Sequence, residues 1–120
     1  MPISEGEKIP AVTVKTSDMK NITTEELFGG KKVVIFAVPG AFTPTCSEQH
    51  LPGYITHAEA IRAKGVDSIL CVSVNDAFVM GAWGKDRGAG EAVTMIADGN
   101  GDFSKALGLD FDGSGIGFGV

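Results

Sequence analysis

Cys46 is the residue best placed to do chemistry. It ends the stretch Val33-Val34-Ile35-Phe36-Ala37-Val38-Pro39-Gly40-Ala41-Phe42-Thr43-Pro44-Thr45-Cys46, in which an apolar, β-branched run passes through a loop containing proline and glycine onto an expected helix start. Backbone N–H groups in the first turn of a helix are free to donate, and the helix dipole favours negative charge there, so a cysteine at this position has its thiolate form stabilised. Thr43 brings a hydroxyl three residues before the sulfur, within reach of it or of a bound oxidant, and His50 lies four residues beyond, on the same helical face. These types at these spacings describe a nucleophilic, oxidisable thiol.

The size of the required effect limits what the helix can do alone. An ordinary thiol with a pKa of about 8.5 is only about 3 % thiolate at neutral pH, and bringing it to about 6 takes about 3.4 kcal/mol. A helix terminus supplies about 0.3–1 kcal/mol, and about 2 at best. A cation or further donors must add the rest, with His50, Lys85 and Arg87 as the candidates within the chain.

Around the cysteine, the sequence from Val38 to Ser47, followed by His50-Leu51-Pro52-Gly53, resembles the active-site stretch of the type II, or atypical, peroxiredoxins, thiol peroxidases of the wider superfamily of alkyl hydroperoxide reductases and thiol-specific antioxidants. The likeness runs from about Ile9 to Val120 and takes in Ser73-Val74-Asn75-Asp76 and Ala97-Asp98 at the expected intervals. It implies a thioredoxin-like fold and a peroxidatic Cys46 that attacks hydrogen peroxide or an alkyl hydroperoxide and becomes a sulfenic acid. Thr43 and the Cys46 backbone N–H would donate to the peroxide, with His50 beside it, and Pro39 would shield the sulfenic acid. An external thiol (glutathione, glutaredoxin or thioredoxin) would restore the cysteine, and a homodimer is the expected assembly. No cofactor is implied.

The resemblance also implies a C-terminal shortening. Members of the family continue with an arginine-bearing strand and further elements, and some carry a resolving cysteine there; no residue up to Val120 matches either. A thiol less acidic than in a longer relative is expected. The strand before Cys46 would become a sheet edge, giving either marginal stability or completion of the sheet by another chain. The competing function class is therefore a catalytically impaired thioredoxin-fold fragment serving as an interaction or redox-sensing module. Peroxide reactivity of Cys46 separates the two.

The rest of the chain must position that thiol. Its 120 residues, 43 % of them hydrophobic, suit one domain over residues 1–120 with a substantial core. A net charge of −5 argues against nucleic acid and anionic membranes as partners. With two cysteines and no signal-peptide pattern, the chain reads as cytoplasmic, where thiols do chemistry and disulfide frameworks are rare. Cys71, inside an apolar run, reads as a small core filler, and His57 as solvated. The spacing of Cys46, His50, His57 and Cys71 is unlike a zinc site, so no metal is expected.

Local patterns give an order βαβαβ. A strand is expected over Val12–Lys15, a turn over Ser17–Asn21, and a capping box at Thr23-Thr24-Glu25-Glu26 opening a short helix. Lys32–Val38 reads as a strand buried on both faces. A helix over Thr45–Lys64, kinked near Pro52 and ended by Gly65, follows it. Ser68–Val74, Asp76–Trp83, Val93–Ala97 and Phe103–Leu107 read as strand, helix, strand and helix, with Gly108 closing the last. Phe78 and Trp83 read as core or subunit-interface residues, and Gly113–Gly119 as a flexible tail. The fold class is α/β, with a mostly parallel sheet flanked by helices and active groups at the strand C-termini.

Overall fold

A computed structural model describes residues 2–117, with Cys46 described through its backbone alone. Five strands form one mixed sheet in the order β2-β1-β5-β4-β3. Its parallel half, β3 (Val33–Ala37), β4 (Ser68–Ser73) and β5 (Thr94–Ala97), is the thioredoxin-like core expected from the sequence. β1 (Thr13–Thr16) runs antiparallel to β5 and pairs in turn with β2 (Asn21–Thr23). The sequence pattern predicts only a turn over Ser17–Asn21, and the structure adds the hairpin partner β2. That turn is held by the Thr16 hydroxyl, which bonds to the Asp18 carboxylate and accepts from the Lys20 N–H at 3.2 Å, with Met19 at φ 68°.

β4 is buried on both faces and divides the core in two. Ile69 and Cys71 face a layer with Phe36, Leu51, Met80, Trp83 and Met95. Leu70 and Val72 face the other, with Val14, Leu27, Ile96 and Phe103. Cys71 is fully buried, consistent with its reading as a core filler. Each large apolar side chain buried in this way contributes about 1.5–3 kcal/mol relative to exposure.

β3 departs from its expected burial. Among the described residues it pairs on one side only, with β4, and Val33, Val34 and Ile35 are half-buried, Phe36 buried and Ala37 exposed. One neighbour instead of two explains the difference, and it makes β3 the sheet edge that the sequence foresaw. Its entry is fastened to β4, where the Lys32 N–H donates to the Asp67 carboxylate at 2.8 Å and the Asp67 N–H to the Lys32 carbonyl at 2.7 Å.

Caps behave as read. α1 (Thr24–Phe28) opens with a reciprocal capping box between Thr23 and Glu26. α4 (Ala77–Asp86) starts at Asp76, whose carboxylate accepts from the Val79 N–H at 2.8 Å. The long helix after Cys46 is more divided than expected. A π turn spans Cys46–His50, α2 spans Leu51–Thr56, and a break at His57 precedes α3 (Ala58–Arg62), after which Gly65 takes φ +92°. Pro52 cannot donate to the carbonyl four residues back, and the ladder widens on its N-terminal side. Arg62 ties α3 to the chain before β5 by donating to the carbonyls of Glu91 and Ala92 at 2.8 and 3.1 Å. α5 (Asp102–Ala106) follows β5, with Gly108 at φ 70° closing it, and a 3-10 turn spans Ser114–Ile116 in the segment expected to be a flexible tail. The remainder of that tail, from Phe118, lies outside the described residues. Among the described residues no helix is long and apolar enough to cross a membrane.

Candidate active site

The site lies where the parallel strands end. β3 delivers the chain at Val38, whose N–H still bonds to the Val72 carbonyl at 3.1 Å, and Pro39 ends that pairing. The loop then turns through Phe42 at φ 63°, an unusual backbone for a bulky residue. Its course is fixed from β4, since the Ala41 N–H donates to Asn75 Oδ1 at 2.9 Å and the Ser73 hydroxyl donates to the same oxygen at 2.6 Å. In the sequence Asn75 stands out only as part of the Ser73-Val74-Asn75-Asp76 motif. Its bracing role could not be found there, because its partner lies 34 residues away.

Helical hydrogen bonding begins at this loop. The Ser47 N–H donates to the Thr43 carbonyl at 2.9 Å, so Pro44 occupies the first turn, where its lack of an N–H costs nothing. The N–H groups of Thr45 and Cys46 precede the ladder and point with the positive end of the helix dipole. The backbone of Cys46 therefore stands at the helix start that the sequence predicts, and the π turn beginning there is a widening often found at functional sites.

Thr43 is bonded within its own loop. Its hydroxyl donates to the Gly40 carbonyl at 2.7 Å. With its proton so engaged, Thr43 Oγ1 offers lone pairs, so it can accept from a peroxide O–H instead of donating to one. A Cβ at Gly40 would come within 3.3 Å of the Thr43 methyl, so a residue without a side chain suits that approach.

His50 sits among aromatic rings. Its centroid lies 5.0 Å from Phe36 and 5.8 Å from Tyr54, and Phe36 and Tyr54 stack on each other at 4.0 Å. It also lines a cleft of ≈ 280 Å³ with Gln49, Gly53, Tyr54, His57 and Ile61, and His57 is exposed. Pro39 is exposed and borders a mainly apolar cleft of ≈ 250 Å³ with Val38, Val72, Phe103, Leu107 and Phe111. Of the cations considered, Arg87 pairs with its neighbour Asp86 at 3.3 Å, at the C-terminal end of α4. Trp83 is fully buried, which removes it from any subunit surface, while Phe78 on the same helix is 72 % exposed.

A thioredoxin-like sheet that ends in a Pro39-to-Cys46 loop, with its cysteine in the first turn of a helix, defines the redoxin class, and the sequence matches the Redoxin family over residues 4–117. The chain belongs to this family and, within it, to the type II peroxiredoxins. It is 49 % identical to peroxiredoxin-2C of rice, with 99 % of this chain and 76 % of that protein covered. It is 50 % identical to the chloroplastic peroxiredoxin-2E of Arabidopsis thaliana over 92 % of this chain, and spans 49 % of that protein. A second chloroplastic relative, from rice, is spanned over 52 %, so the chain has about half the length of these two. Among solved structures, reduced Prx3 of Vibrio vulnificus in complex with hydrogen peroxide superimposes with a TM-score of 0.91 at 56 % identity, covering 96 % of this chain and 74 % of that one.

Proposed function

We propose that this chain is a thiol peroxidase that reduces hydrogen peroxide and alkyl hydroperoxides through Cys46. The observation that carries the reading is the position of the Cys46 backbone, in the first helical turn and ahead of the hydrogen-bond ladder that opens with Ser47. The family membership and the peroxide-bound Vibrio vulnificus relative support it.

The Cys46 thiolate attacks one peroxide oxygen and the O–O bond breaks. Its electron pair leaves on the second oxygen, which takes a proton and departs as water or an alcohol. Cys46 is left as a sulfenic acid. In this reading the Cys46 N–H donates to the peroxide, Thr43 Oγ1 accepts from its O–H, His50 forms a wall of the site, and Pro39 screens the sulfenic acid. An external thiol, glutathione or a thiol of glutaredoxin or thioredoxin, then attacks the sulfur to give a mixed disulfide and water, and a second thiol releases Cys46. Such recycling needs a reducing compartment, which for this chain we take to be the cytoplasm. A homodimer is part of the same proposal, supported by Phe42 and Phe78, which are 52 % and 72 % exposed and lie on the site loop and on α4.

The test is the second-order rate of Cys46 oxidation by hydrogen peroxide, followed by intact mass, with Cys46→Ser as comparator. The expected rate is at least about a hundredfold above that of free cysteine at the same pH, the range that positioned donors supply. Oxidation no faster than free cysteine, or equally fast in Cys46→Ser, would contradict the proposal.

A further inference from the structure

We propose that Trp83 is a positioning residue for Cys46, gripping the cysteine-bearing turn on both sides of it. The indole Nε1–H donates to Ser47 Oγ at 2.9 Å, across 36 residues of sequence. Both partners are inside the protein, Trp83 at 0 % and Ser47 at 2 % exposure. The same indole meets the Phe42 ring at 6.5 Å with the planes tilted by 51°. Phe42 and Ser47 bracket the segment that holds Thr43 and Cys46, so one side chain of α4 touches the chain just before and just after the reacting region.

Burial gives this arrangement its force. An indole N–H has a single donor and no alternative use, and leaving it unpaired in the core costs more than the bond itself is worth in water. Any shift of the first helical turn that carries Ser47 away therefore meets a penalty at Trp83. The other contact holds a strained point. Phe42 keeps φ at 63°, and a bulky residue persists there only where its surroundings enforce it. The base of the grip is rigid, since Met80 on the same helix is also fully buried, and a Cβ on the neighbouring Gly84 would come within 2.8 Å of Met95 Cγ, which shows how closely α4 lies on β5.

With the turn held, the Cys46 N–H keeps its aim and the helix terminus keeps its effect on the thiol. Only the consequence for peroxide rests on the thiol-peroxidase reading. The effect on thiol acidity stands without it.

The test compares Trp83→Phe, which keeps an aromatic ring and removes the donor, with Ser47→Ala, which removes the acceptor. The readouts are the pH profile of Cys46 alkylation by iodoacetamide and the rate with hydrogen peroxide. Each variant is expected to move the Cys46 titration midpoint upward and to slow both reactions at neutral pH about three- to tenfold, the factor one ordinary hydrogen bond carries. The double variant should be no slower than the slower single one, because both lose the same bond. Leu27→Ala, a cavity in the core layer on the other face of the sheet, should lower the melting temperature and leave the alkylation profile in place. The proposal is overturned if Ser47→Ala and Trp83→Phe lower the melting temperature as Leu27→Ala does, with the alkylation profile unmoved. A wild-type chain whose Cys46 alkylates readily but meets peroxide no faster than free cysteine would sink the peroxidase reading and leave the Trp83 grip standing.

Discussion

Helices leave the same end of the sheet after β3, β4 and β5, and their first turns are filled differently. After β5, Asp98 is 2 % exposed and accepts from the N–H groups of Phe103 and Ser104 at 3.0 and 2.8 Å and from the Ser104 hydroxyl at 2.8 Å. After β4, Asp76 accepts from the Val79 N–H. After β3 the chain reads Thr43-Pro44-Thr45-Cys46-Ser47-Glu48, with a cysteine ahead of its first carboxylate, the exposed Glu48. A permanent anion at a helix N-terminus stabilises the fold and is spent there. A thiol in the same field converts that stabilisation into acidity and nucleophilicity.

Removing the permanent anions breaks the comparison from its structural side. Asp98→Ala strands buried donors of α5 and should cost about 2–3 kcal/mol in denaturant unfolding, with little effect on Cys46 alkylation. Asp76→Ala loses one cap on α4 and should cost about 1 kcal/mol. The smallest effect belongs to the exposed Asp18, where the Thr16 hydroxyl holds the carboxyl below its usual range. A carboxyl lowered in the folded state adds stability that is present above its unfolded pKa and fades as pH falls through the folded pKa. Asp18→Asn should therefore lower the melting temperature slightly at neutral pH, and the difference should vanish in strong acid.

What the sequence disclosed was local. The Thr23–Glu26 capping box, the Asp76 cap and the glycines after α3 and α5 each depend on residues a few positions apart, and each is present as read. The loop-to-helix placement of Cys46 was legible for the same reason. The three-residue strand β2 and the antiparallel pairing of β1 with β5 were not, because a short strand gains its identity from a partner elsewhere in the chain. Nor were the role of Asn75 and the Trp83–Ser47 bond, which arise from contacts that no nearby spacing encodes. The π turn falls between: Pro52 announced a disturbance, but its form depends on how the helix packs.

The titration midpoint of the Cys46 thiol, read from the pH dependence of its alkylation, tests the central claim most directly, with Thr45→Asp placing in the third helix start the anion that the other two possess. Thr45 is exposed, so the change should be tolerated by the fold. The wild-type midpoint should lie below that of free cysteine, in the direction a helix terminus favours, and Thr45→Asp should return it toward the ordinary thiol value. A wild-type midpoint at or above about 8.5, unmoved by Thr45→Asp, would contradict the account.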